Sequence, residues 1–200
     1  MGMMTLTPEQ TVDALEIELG RLVGAVETSD LDAGVPNCPP WTVGVLAGHI
    51  GGSHRWAAEV VRRLPQDVLR PGPAQPPAGA KATAKWLDEG GRALVDALRV
   101  AEADAPVWTW AGDRRVRWWA RRQLHETAVH RADLWSAFGG DRQDGETAGG
   151  DARADEVAGG DAGVGDWSVE DAVAADGVEE FLGNLPYTRI WAPQVEKLRG

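Results

Sequence analysis

Residues 113–138 read DRRVRWWARRQLHETAVHRADLWSAF. Val116, Trp119, Leu134 and Ala137 fall on one stripe of this stretch at helical spacing, so it is a long helix capped by Asp113. Upstream, Thr7-Pro8-Glu9-Gln10 is a helix start, with Thr7 as N-cap, Pro8 at the first helical position and Gln10 closing a capping box. Val12, Leu15, Leu19, Leu22 and Val26 then recur at steps of three and four, giving a helix over about 7–28. A second helix is predicted over about 41–64, with Val45, Leu46, Ile50, Ala57, Val60, Val61 and Leu64 facing inward. Five prolines make 65–79 a stiff extended connection. A third helix over about 81–103 carries Leu87, Leu94 and Leu98. Val107-Trp108-Thr109-Trp110 is short and extended.

Downstream of Gly139-Gly140 the periodicity stops. Residues 139–165 hold nine glycines and many aspartates, a composition that cannot bury enough apolar surface to offset its ordering entropy. A flexible, acidic, Gly-rich loop is expected at about 139–166. A last helix over about 168–184 opens with Ser168 as N-cap, buries Ala175, Val178 and Leu182, and ends at Pro186. No convincing strand pattern and no internal repeat occurs. The fold class expected is all-α: a four-helix bundle with long connections and an additional C-terminal helix, one domain over 1–200.

The chain has 200 residues, 31 acidic against 20 basic, for a formal charge of −11. Residues 141–180 hold 13 Asp/Glu and two Arg, which accounts for the whole excess. That balance argues against nucleic acid and anionic membrane surfaces as partners. A single cysteine, Cys38, excludes a disulfide framework and a cysteine-based zinc site. With neither a signal peptide nor a run of about 20 apolar residues, the expectation is a soluble, cytoplasmic protein. Ten tryptophans stand against two Phe and one Tyr. An indole N–H needs a partner when buried, so some tryptophans are expected to line a cleft and others to pack the core.

The four histidines fall in two pairs, His49 with His54 and His125 with His130. His49 lies on the stripe of Leu46, Ile50 and Val60, so it is expected to point into the bundle. Glu126 and His130, four residues apart, project from one helix face. A buried carboxylate and imidazole are expensive unless paired or metal-bound. His49 with Glu126 and His130 would give three ligands and leave positions open, as catalytic metal sites do. The same spacing also suits a surface ion pair with a hydrogen-bonded core histidine. His125 and His54 lie off these faces, and suit substrate or outer contacts better than the same ion. Arg114, Arg115, Arg117, Arg121 and Arg122 crowd nine positions of the helix that carries Glu126. They suit recognition of a carboxylate or other anion, or a solvated basic face paired with the acidic loop. Trp108, Trp110, Trp118 and Trp119 flank them.

At these residues the sequence resembles a known family. Trp41-Thr42-Val43-Gly44-Val45-Leu46-Ala47-Gly48-His49 is similar to the W-T-V-x-x-L-x-x-H signature of the mycothiol-dependent maleylpyruvate isomerase family, within the DinB-like superfamily. Val107 to Trp110, Trp119 to Arg122 and His125 to Asp133 resemble a second signature, and Asp171 to Leu182 the helix that follows it. The likeness spans most of residues 8–185. It implies a DinB-like bundle holding a divalent metal, most often zinc, on His49, Glu126 and His130. It also implies mycothiol as thiol cosubstrate, whose metal-bound thiolate attacks a small electrophile by isomerisation or S-transfer. His54, Arg117, Arg121, Arg122, His125 and Trp119 are candidates for substrate or thiol contacts. Two departures are expected: the C-terminal α+β domain of many members is absent, and the 139–165 connection is longer than usual.

Three functions fit: a metal-dependent thiol transferase or isomerase; a non-catalytic DinB-like protein that binds metal or a small ligand; and an interaction module using its acidic segment. The partners expected are a small electrophile and a low-molecular-weight thiol, with no nucleic acid and no membrane; a homodimer is compatible with all three.

Overall fold

The computed structural model describes residues 6–138 and 169–187; the acidic Gly-rich connection and the Ser168 cap lie outside them. Every named element in the described residues is helical: α1 (Pro8–Glu27), α2 (Val43–Arg63), α3 (Ala80–Val100), α4 (Val116–Ala137) and α5 (Asp171–Asn184), the last followed by a short 3₁₀ turn at Leu185–Tyr187. α1 and α2 each contact both α3 and α4, which makes a four-helix bundle, and α5 lies against α4. No described helix is long and apolar enough to cross a membrane.

The capping box forms as the sequence predicts. Thr7 Oγ1 accepts from the Gln10 amide at 3.2 Å and Gln10 Oε1 accepts from the Thr7 amide at 2.9 Å. α2 starts on Thr42, whose hydroxyl accepts from the Val45 amide at 3.3 Å. α4 does not use Asp113 as its cap. Arg115 holds the N-cap position without a side-chain hydrogen bond, because the Asp113 carboxylate is taken by Arg115 and Arg117, both at 2.9 Å.

Two apolar clusters fill the bundle. Leu15, Val60, Leu94 and Leu124 belong to the one built around the tryptophans. Leu22, Leu46, Ile50, Leu87 and Leu134 belong to the other, at the end that carries His49. Between these levels sit buried polar residues: Glu18 on α1, His54 on α2, Thr127 and Arg131 on α4. Arg131 Nε donates to Glu18 at 2.6 Å. On α3 the same level is Gly90-Gly91, where a Cβ on Gly91 would run into the Leu19 side chain. Glycine there lets α1 and α3 approach closely.

Five predicted inward apolar residues face out. Val45 is exposed on the first turn of α2, and Leu64 is the left-handed C-cap of that helix (φ 47°) rather than part of its buried stripe. On α5 the whole stripe is reversed. Val178 and Leu182 are exposed and so is Ala175, whereas Val173, Asp176, Glu180 and Asn184 are buried. The reason is charge. α4 presents Arg121, Arg122 and His125 to this helix, and the carboxylates must face them. Arg121 Nε donates to Asp176 Oδ2 at 2.8 Å, Arg122 to Glu180 at 3.0 Å, and His125 Nε2 pairs with Asp176 Oδ2 at 2.7 Å. Charge-assisted bonds of this kind outweigh the burial of two or three aliphatic side chains.

Trp56, Trp108, Trp118 and Trp119 pack together in the core, whereas Trp41 and Trp110 line grooves, as the sequence led us to expect of some. Trp119 meets Trp56 and Trp118 at centroid separations of 5.1 Å and near-perpendicular planes. Its indole N–H donates to the Trp108 carbonyl at 2.8 Å, and that of Trp56 to the Leu69 carbonyl at 2.7 Å.

Candidate metal centre

His49 leaves α2 one turn after Val45, and its side chain is 40 % exposed. It does not point into the bundle. It stands on the rim and reaches across to α4, where Glu126 and His130 share a face. His49 Nε2 lies 2.9 Å from Glu126 Oε1, and His130 Nε2 lies 3.5 Å from the same oxygen. All three candidate ligand atoms fall within 4.8 Å of one another. The two rings meet edge to face at 5.1 Å, and Trp41, immediately ahead of α2, covers both at 4.9 and 5.8 Å. Beside His49 a groove of about 700 Å³ opens between Trp41, Gly44, Gly48 and Pro76.

Behind the trio stands a shell that sequence reasoning missed. His130 Nδ1 is 2.9 Å from Asp133 Oδ2, and Cys38 Sγ donates to that oxygen at 3.2 Å. An Nδ1–H held by a carboxylate leaves Nε2, which faces Glu126, as the nitrogen that offers a lone pair once its proton is released. The i, i+3 step from His130 to Asp133 was a readable signal; that Cys38 joins them from a loop was not. Cys38, His130 and Asp133 also form a second group with metal-ligand spacing, but Asp133 holds His130 Nδ1, which leaves Nε2 and the first group to a cation. Arg122 donates to the second Glu126 oxygen while it also holds Glu180.

The charges fit a cation. Burial opposes the Glu126 charge, yet the hydrogen bonds from His130 and His49 and the Arg122 guanidinium hold its carboxyl well below the usual carboxylate range. Burial alone would lower His130, but its bonds to Asp133 and Glu126 outweigh this and carry it up to about 9. Two imidazoles thus converge on Glu126 Oε1 while the Arg122 guanidinium holds the other oxygen, an arrangement in which a divalent ion can replace the imidazole protons. Burial and the neighbouring Asp133 push the Cys38 thiol up to about 11, so it stays protonated near neutrality.

The other predicted contacts lie elsewhere. Arg117 pairs with Asp104 and Asp113, both at 2.9 Å, and is nine residues, or about 13 Å of helix, from Glu126. Arg121 and His125 are committed to α5. Trp119 and His54 are fully buried, so neither touches a ligand at the surface. As contacts at the metal centre these five positions are corrections. The arginines that suggested an anion site are largely answered by carboxylates of the chain itself, and the two buried rings are core. Of the six, Arg122 alone touches the trio.

His54 Nε2 donates to Thr127 Oγ1 at 2.9 Å, since that hydroxyl gives its proton to the Gln123 carbonyl. Its Nδ1 is buried without a partner. Burial lowers its pKa to about 4, the nearby Glu126 charge opposing. In the unfolded chain the ring titrates near 6.5, so between these values the unfolded state binds the extra proton. This stabilising contribution is intact above pH 6.5 and is lost as pH falls toward 4. Equilibrium denaturation of wild type and His54→Gln at pH 7 and pH 4 is expected to show about 3 kcal/mol less acid destabilisation in the variant.

A helical bundle with a His–Glu–His trio at one mouth and no strand among the described residues is the architecture of DinB-like domains. The match to known sequences is more specific: residues 12–135, from α1 to α4, fit the family described as the mycothiol maleylpyruvate isomerase N-terminal domain, and the chain belongs to that family. All three residues of the trio lie in the matched span. No curated protein and no solved structure matches the chain.

Proposed function

We propose that this protein is a metal-dependent, mycothiol-using thiol transferase or isomerase acting on a small electrophile in the cytoplasm, with 1–200 as one bundle domain. The observation that carries the proposal is the convergence of His49 Nε2, Glu126 Oε1 and His130 Nε2 at the bundle mouth, backed by Asp133. These three residues would hold a divalent cation, zinc being well suited to two imidazoles and a carboxylate. The ion, when bound, supplies Lewis acidity that leaves a coordinated thiol deprotonated at neutral pH.

The chain's own groups do the rest. Glu126 keeps its charge across the neutral range, and Arg122 fixes its second oxygen. Asp133 keeps the His130 proton on Nδ1. Trp41 shields the imidazoles on one side, which leaves the groove beside His49 as the approach for a thiol. Cys38, held protonated by Asp133, does not compete as a nucleophile.

Purified protein is expected to carry one divalent ion per chain and to conjugate mycothiol to a bimane electrophile. An ion-free wild type refutes the metal site. Bound metal with no turnover across a panel of electrophiles would instead make the protein a binder. Replacing Asp133 by alanine is expected to weaken metal affinity by about 10–100-fold, the usual effect of losing an outer-shell partner, with the fold retained. Competition with a chromophoric chelator reads this directly.

A further inference from the structure

A second constellation lies about 100° around α4 from Glu126. His125 and Asp176 form a buried pair at 2.7 Å through His125 Nε2. The other ring nitrogen, Nδ1, faces Gly177, where a Cβ would stand 3.1 Å away. No described residue bonds to it. His125 also lines a groove of about 590 Å³ between α4 and α5, walled by Ala128, Val129, Val173, Val178 and Phe181. That volume lies in the range of small-molecule sites, and such sites combine apolar walls with a few placed polar groups.

The chemistry of the lining defines the occupant. Arg122 and Glu180 also reach the groove, but they satisfy one another at 3.0 Å, and Asn184 donates to Glu180 at 2.6 Å. None of the three calls for an ionic ligand. Two aromatic side chains, Trp110 and Phe181, stand on the lining with His125, to whose Nδ1 no described residue bonds. A hydroxyl both donates and accepts, so it satisfies an imidazole nitrogen in either protonation state. We propose that this groove is a binding site for a small neutral aromatic molecule bearing one hydroxyl, of the phenol class, whose hydroxyl bonds to His125 Nδ1 while Asp176 fixes the ring. The groove contains none of the three trio residues, although Arg122 borders both.

Calorimetric titration of the full chain with 4-chlorophenol and with 4-chloroanisole, its O-methyl ether, tests this. The phenol is expected to bind saturably and about tenfold more tightly than the ether, the worth of one hydrogen bond. Gly177→Ala places a methyl against Nδ1 and should weaken the phenol about tenfold, leaving the ether within about twofold. Ala174→Phe, from an exposed lining position, fills the slot and should abolish both without touching the core. His49→Ala should change neither. No saturable binding, equal affinity for phenol and ether, or loss in His49→Ala with retention in Gly177→Ala would each overturn the proposal. The last would place the phenol at the metal centre.

Discussion

Glu126→Ala is expected to lose its divalent ion, with apparent affinity lower by more than about 100-fold, because outer-shell losses alone reach that size and this is a ligand. The variant removes the oxygen on which both imidazoles converge and the one negative charge in the trio. Arg122 keeps Glu180 as a partner, so the fold is expected to survive. Wild-type affinity should itself depend on pH. His130, at about 9 without metal, must release a proton to bind. Affinity therefore rises about tenfold per unit from pH 7 and levels off near pH 9. In Glu126→Ala one of the two groups that raise His130 is gone, so the plateau should arrive at lower pH. Metal titrations at several pH values with full occupancy in the variant would show that Glu126 is not a ligand.

The helices themselves were legible because they rest on local signals. The Thr7 capping box, the proline-rich connection and the three- and four-residue steps of Val12 to Val26 each act within one turn of chain. His49, Glu126 and His130 were legible as a set through helical spacing and the likeness of their flanking motifs. Their attitude was not. His49 was expected inside the bundle on its stripe, yet the residue that lies inside is His54, five positions on. A stripe on a helical wheel does not say at which level a neighbouring helix ends, and near the mouth of a bundle the same face becomes a rim.

The α5 reversal has a different origin. Hydrophobic patterning assumes that the partner face is apolar. Here the partner face carries Arg121, Arg122 and His125, so Asp176 and Glu180 turn inward and Val178, Phe181 and Leu182 turn out. The localised negative charge and the arginine cluster were both visible in the sequence. Their meeting was also expected, but through the loop rather than a helix, since two segments some 50 residues apart leave no periodic trace of their contact.

Trp119 separates a substrate contact from a core residue by the kind of damage its loss causes. Its side chain is fully buried among Trp56, Trp108 and Trp118, with its N–H on the Trp108 carbonyl. Trp119→Ala is expected to destabilise the protein by about 3–5 kcal/mol, the transfer free energy of a large aromatic plus the cavity it leaves. That is a large share of a domain stability of about 5–15 kcal/mol. Trp119→Phe keeps most of the volume and loses one buried hydrogen bond, which leaves the Trp108 carbonyl unanswered. Its cost should be about 1–3 kcal/mol. Both effects belong in denaturant midpoints, and metal affinity of the folded phenylalanine variant should stay within about twofold of wild type, since no ligand is touched. A phenylalanine variant of unchanged stability and impaired ligand binding would return Trp119 to the site.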